Sequence, residues 1–297
     1  MTHRTFACAA LLALTLVASN AASAFDRATM LVSTEWLKDH LRDPNLVVLH
    51  VGPPEGYTMH ILGARFLRLS DISVSSDAAT LELPPPDDLR ARLEAIGISD
   101  DSRIVVYYGE GLVQAATRVV YTLQAAGLGD RVSLLDGGMA AWEREGRTAV
   151  AAVPEVKPGH LSALKMQPAI VDADAVGSHE HTPGYAIIDA RAPAFYNGTQ
   201  TGGSKDHPHK TGHIPGAHSL PYGEIIDDKQ NIKSADALKA LFAKAGVKQG
   251  DKLMVYCHIG QQATAVIFAA RSLGYDASLY DGSFEDWSRR DLSVEKK

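Results

Sequence analysis

The residues best placed to do chemistry lie in the stretch from Lys252 to Arg271, KLMVYCHIGQQATAVIFAAR. An apolar run, Leu253 to Tyr256, ends in Cys257, and a short loop, His258-Ile259-Gly260-Gln261-Gln262, opens into an alanine-rich helix expected from about Ala263. A strand that ends in a thiol and turns directly into a helix offers that thiol the loop N–H groups and the positive end of the helix dipole, which favour a thiolate. A lone cysteine is also a common small buried hydrophobe. Position alone leaves both roles open.

The chain around this stretch has 297 residues, 45% hydrophobic and 22% charged, which is globular composition with room for two domains. A net charge of −6 gives no reason to expect a nucleic-acid partner. The N-terminus reads as a leader. His3 and Arg4 precede the apolar run Phe6 to Val17, and small residues lead to an expected cut after Ala24. That run is short for a membrane span, so residues 1–24 are expected to direct export, to the periplasm or outside the cell. A mature chain without a membrane segment is expected. Cys8 would leave with the leader, and Cys257 would remain as the one cysteine in a compartment where disulfides persist. An unpaired thiol there is a liability unless it is buried or used.

The elements that must position Cys257 occur twice. Leu46 to Leu49 and Arg103 to Tyr108 read as strands, a helix runs to about Ile96, and another spans Val113 to Ala126. Val132 to Leu135 is a strand, and Asp136-Gly137-Gly138 turns into a helix over Met139 to Glu145. The order then repeats with Tyr185 to Asp189 as a strand and Ala235 to Ala245 as a helix. His213-Ile214-Pro215-Gly216-Ala217 echoes His60-Ile61-Leu62-Gly63-Ala64, and the segment Asp281 to Trp287 echoes Asp136 to Trp142. The expectation is a duplicated α/β chain, each domain a mainly parallel sheet flanked by helices on both faces. The domains are placed at 25–150 and 165–297, joined by a proline-containing linker at 151–164. Ligands of such sheets sit beyond the carboxyl ends of the strands, where Cys257 falls. Its counterpart in the first half is Tyr108, so one active site per chain is expected, in the second half.

The His-Ile-Pro-Gly-Ala segment, the six-residue loop that starts at Cys257 and the Asp-Gly-Ser-Phe-Glu-Asp-Trp segment together resemble the tandem-domain rhodanese-type sulfurtransferases over essentially the whole mature chain. The resemblance implies two rhodanese-like domains, the N-terminal one non-catalytic. It also implies transfer of sulfane sulfur from thiosulfate or a related donor, with 3-mercaptopyruvate as the alternative, to cyanide or a thiol acceptor, through a persulfide on Cys257. No cofactor is implied, and the partners are a small-molecule donor and acceptor, with a protein thiol as a further acceptor. In that chemistry the N–H groups of His258, Ile259, Gly260, Gln261, Gln262 and Ala263 form a shallow cup for anionic sulfur. Gly260 lets the backbone curl, and His258 either assists the thiolate and the anionic donor or is an exposed histidine without a role. Asp189 and Arg191 look like the family's acidic-basic pair near the site; a structural salt bridge is the alternative. Asp281 and Trp287 are expected to fix a turn and pack the last helix.

The sequence departs from the family pattern at the donor end. His258 and Ile259 match neither the basic residues associated with thiosulfate nor the small ones associated with 3-mercaptopyruvate, and Phe195 stands where an arginine would hold the anionic donor. Lys205, Lys210 or a first-domain residue are candidate replacements. Three other readings compete for these residues. A cysteine phosphatase of this fold needs an arginine six positions after the cysteine, where this chain has Ala263. A sulfur carrier would load Cys257 and pass the sulfur to a docked protein without turnover. A metal site would use His179, His181, His207, His209 and His213, but a turn-rich surface loop accounts for most of these, and no metal is expected.

Overall fold

The structure is a computed structural model that describes residues 25–77, 79–109 and 111–297. The expected leader, residues 1–24, lies outside the described residues. The first half runs α1 (Arg27–Met30), β1 (Leu31–Val32), α2 (Thr34–His40), β2 (Leu46–Val51), β3 (Arg65–Leu67), α3 (Pro86–Ala95), β4 (Arg103–Tyr108), α4 (Val113–Leu123), β5 (Val132–Leu135) and α5 (Gly138–Arg144). The second half repeats the plan. It contains β6 (Ile170–Val171), α6 (Ala173–Ser178), β7 (Tyr185–Asp189), α7 (Pro193–Tyr196), β8 (His218–Ser219), α8 (Ala235–Lys244), β9 (Lys252–Tyr256), α9 (Gln262–Ser272), β10 (Ala277–Tyr280) and α10 (Ser283–Arg289).

Each half builds one five-stranded sheet, in the orders β1-β5-β4-β2-β3 and β6-β10-β9-β7-β8. Every strand pairing in both is parallel. The central strands are continuous apolar runs because both faces are covered: Ile104, Val105, Val106 and Tyr107 of β4 are all buried, as are Leu253 to Tyr256 of β9. Polar side chains start the helices. Ser33, Asp172 and Ser234 each accept a hydrogen bond from a first-turn amide. The helix expected to reach Ala126 instead ends at Leu123 and relaxes into a wider turn around Gly127, whose φ is +85°.

The halves are packed together through α4 and α9, which face one another and are buried almost all round. The Gln124 side chain accepts from Arg271 at 2.7 Å across this contact, and the Leu279 amide donates to the Tyr121 hydroxyl. The connecting stretch is tied to the first half rather than free: the Gly159 amide donates to the Glu94 carbonyl, and Leu161 is buried.

Candidate active site

The carboxyl ends of β7 and β9 lie side by side, with Asp189 opposite Tyr256 in the parallel register. Tyr256 is followed at once by Cys257, which is wholly buried. The Cys257 amide donates to the Ser283 hydroxyl at 3.2 Å, and Ser283 donates to the Tyr280 carbonyl. Ser283 occupies the left-handed region at φ +51°, unusual for a residue with a side chain, so its backbone is held there by what surrounds it.

The loop after Cys257 is organised through its carbonyl groups. The amides of Phe284 and Glu285, at the start of α10, donate to the carbonyls of Cys257 and His258, both at 3.0 Å. The Arg118 guanidinium donates to the Gly260 carbonyl at 3.1 Å, and Thr264 donates to the Gln261 carbonyl through its hydroxyl at 2.7 Å and its amide at 3.2 Å. A trans peptide points its N–H away from its C=O. The amides of His258, Ile259, Gln261 and Gln262 therefore face away from these tethers. Among the described residues, no protein acceptor serves any amide from His258 to Ala263. Unpaired donors in sequence make an anion-binding concavity. Gly260 sits at φ +75°, and a Cβ there would meet the Asp281 carbonyl oxygen and Arg118 Nη1 at under 3 Å.

Asp189 and Arg191 form a buried ion pair, Arg191 Nη2 to Asp189 Oδ2 at 2.6 Å. The Tyr256 hydroxyl also donates to Asp189, Arg191 donates to the Gly212 carbonyl, and the guanidinium lies 3.8 Å above the Phe284 ring. Burial alone would pull the Arg191 pKa down; the Asp189 carboxylate outweighs it and the net shift is upward. Burial drives Tyr256 well above the usual tyrosine range, with Asp189 pushing the same way. Both acidic and basic groups are thus satisfied internally, as a structural salt bridge would be.

His258 is half-buried and stands edge-on to Phe195, with ring centroids 4.5 Å apart. His209 lies beside it at 5.6 Å, and its Nδ1 is buried without a partner among the described residues. Burial brings the His258 pKa down to about 4, and the Arg191 and His209 charges push it the same way. At neutral pH it is uncharged. It can offer one N–H, but not the positive charge that a role as an imidazolium requires. The segment carrying Gly202 and His209 covers this side of the loop; a Cβ on Gly202 would lie 2.6 Å from the His258 ring.

Of the proposed substitutes for the missing arginine, Lys210 is spent on the Arg290 and Leu292 carbonyls at the C-terminal end, and Lys205 is exposed. Arg118, a first-domain residue that the sequence reading did not single out, reaches the loop. It pairs with Asp281 at 2.6 Å and also donates to the Leu81 carbonyl. Asp281 thus does more than fix a turn, because it anchors the other half of the molecule. An arginine inside the largely apolar helix α4 (Val113–Leu123) was the available signal, since a charge buried there needs a partner. Trp287 packs in the core as expected, with its indole N–H on the Ser293 carbonyl. Among the described residues no three His, Cys, Asp or Glu side chains, the five histidines clustered in sequence included, come together to hold a metal. No helix among them is long and apolar enough to cross a membrane.

A thiol at a strand end, a loop of unpaired amides and two copies of one parallel α/β unit define a class. The rhodanese-like domain model matches residues 33–145 and 172–290. The 3-mercaptopyruvate sulfurtransferase of Escherichia coli (strain K12) is 30% identical over 285 residues, covering 90% of this chain and 98% of the relative. The sulfur carrier protein TtuD of Thermus thermophilus is 30% identical, covering 87% and 93% respectively. The crystal structure of SseA from Escherichia coli, a 3-mercaptopyruvate sulfotransferase, superposes with a TM-score of 0.75 at 29% identity, covering 86% of this chain and 98% of that one. The chain belongs to the tandem-domain rhodanese-type sulfurtransferases.

Proposed function

We propose that this sulfurtransferase moves sulfane sulfur from thiosulfate to cyanide or a thiol by way of a persulfide on Cys257. The observation that carries this reading is the run of unpaired amides from His258 to Ala263 directly after the cysteine. In the first step the Cys257 thiolate attacks the outer sulfur of thiosulfate. A new S–S bond forms, the old one breaks, and sulfite leaves with the bonding pair. In the second step cyanide attacks the terminal sulfur, the enzyme S–S bond breaks, thiocyanate forms and the thiolate returns. The amides stabilise the anionic sulfur in both steps, and two covalent half-reactions give ping-pong kinetics.

A second donor is favoured by the name of the Escherichia coli relative. With 3-mercaptopyruvate the C–S bond breaks instead, and its electrons leave on carbon as the enolate of pyruvate. Phe195 supports neither anionic donor by charge. A comparison of steady-state rates for the two donors, with cyanide as common acceptor, decides between them. Thiosulfate turning over at the higher kcat/KM is the expected result; the reverse order would assign the enzyme to mercaptopyruvate. A persulfide that forms without any thiocyanate release would assign it to carrier function, the activity in the name of the Thermus relative. Export with removal of residues 1–24 is a separate proposal, supported by the leader pattern and tested by N-terminal sequencing of the protein secreted or held in the periplasm.

A further inference from the structure

Two consecutive residues of α4, in the half without the thiol, reach the loop that follows Cys257. Arg118 donates to the Gly260 carbonyl at 3.1 Å while its charge is met by Asp281 at 2.6 Å. Thr117 meets the Thr264 hydroxyl at 3.1 Å, and Thr264 in turn donates to the Gln261 carbonyl at 2.7 Å. Thr117, Arg118 and Thr264 are all buried, so water does not replace these bonds. The two carbonyls they hold belong to the peptides that carry the Gln261 and Gln262 amides. Turning either peptide over would aim a carbonyl dipole, rather than an N–H, into the cup.

We propose that Thr117 and Arg118 are positioning residues for sulfur transfer: they hold the Gly260 and Gln261 carbonyls outward and thereby set the direction of the loop amides. This rests on the sulfur-transfer reading and gives the thiol-free half a task, as the wall against which the active loop is set. In the first half, the glycine at the matching place is Gly111, also at positive φ (+69°), but a Cβ there would meet nothing within 4 Å among the described residues beyond its chain neighbours. The same count onward that leads from Tyr108 to Arg118 leads from Cys257 to Ile267, which has no polar group to return the contact. The clamp runs one way.

The test uses the full chain and the variants Arg118→Met, Arg118→Lys and Thr117→Val. Outright loss of an oxyanion-hole donor costs about 10²–10³ in kcat, and misaimed amides are expected to lower kcat by about tenfold or more in Arg118→Met with KM within about twofold. Arg118→Lys is expected to recover part of the rate. Hydrogen exchange of the peptide covering Ile259 to Ala263 is expected to speed up by about tenfold in Arg118→Met. A folded Arg118→Met protein with wild-type kcat, or with wild-type exchange in this peptide, overturns the proposal. If Arg118→Met does not fold, Thr117→Val decides: a kcat loss of about threefold with KM unchanged supports the clamp, and wild-type kcat overturns it. The exchange measurement needs no sulfur donor. A wild type that never takes up sulfur would therefore refute the function, whereas unchanged exchange in the folded variant would refute the clamp.

Discussion

The two halves share a scaffold and differ at the strand ends. In both, a tyrosine near the end of the central strand accepts a hydrogen bond from the isoleucine of the His-Ile segment: Ile61 to Tyr107 at 3.2 Å, and Ile214 to Tyr256 at 3.1 Å. In both, the histidine before that isoleucine stacks on a tyrosine, His60 on Tyr57 and His213 on Tyr196, and meets that tyrosine's carbonyl through Nδ1. In both, the indole N–H of the last helix's tryptophan closes a turn, Trp142 on Thr148 and Trp287 on Ser293. The repeated motif is therefore framework. On the proposed function, the reacting thiol falls among the residues that break the repeat. Cys257 stands against Tyr108, whose hydroxyl donates to the Gln230 carbonyl. Asp189 stands against His50 and Arg191 against Gly52, and Ser283 against Gly138.

The largest effect should come from the first of these differences. Cys257→Ser is expected to abolish sulfur transfer, whereas Tyr108→Phe should leave kcat within about twofold and cost about 1 kcal/mol for the lost hydrogen bond. A thiocyanate assay and a urea titration read the two. The pair at Asp189 comes next. Asp189→Ala leaves Arg191 charged and unpaired in the core, a loss of about 3–5 kcal/mol, while His50→Leu should change stability by less than about 1 kcal/mol at neutral pH. Among the described residues neither ring nitrogen of His50 has a partner, so the substitution breaks no hydrogen bond there. Equal losses for the two variants would contradict the comparison.

The same histidine makes the first half sensitive to acid. Burial brings the His50 pKa from 6.5 down to about 4, with His60 adding to the shift. Between those values the unfolded chain binds a proton that the folded chain does not, so stability is fully present above pH 6.5 and falls as pH drops toward 4. The loss from His50 amounts to at most about 3 kcal/mol, and His50→Leu should flatten that part of the curve. His258 adds acid sensitivity in the same direction and the same window. Thermal unfolding at a series of pH values checks both. The smallest effect is expected for Ser283→Gly, which installs the first-half residue: relief of the left-handed strain offsets the hydrogen bond lost from Cys257, for a net change under about 1 kcal/mol by urea titration.

How much could be read in advance follows the same division. The duplication, the central strands and the thiol at a strand end were legible because each is a local pattern: a continuous apolar run, a punctuating Asp-Gly pair, a cysteine before a glycine-containing loop. The strands β1, β3, β6, β8 and β10 were not singled out, since segments of two to four residues carry little periodicity and form because a neighbouring strand is already in place. Arg118 and the tether it makes to Gly260 were missed because they join residues far apart in sequence. His258 was left open as a cation or a bystander, and its burial beside Arg191 and His209 makes it neutral. Nor could sequence show that Cys257 would be wholly covered, with Phe195, His209 and Gly202 closing in on the His258 side. Sulfur transfer requires that cover to admit a donor.

The most direct test of the central claim is the intact mass of the protein after incubation with thiosulfate and removal of excess donor. A gain of one sulfur atom, located on Cys257, lost on adding cyanide and absent in Cys257→Ser, is the predicted result. An unchanged mass with thiosulfate, 3-mercaptopyruvate and other sulfane donors alike would contradict it.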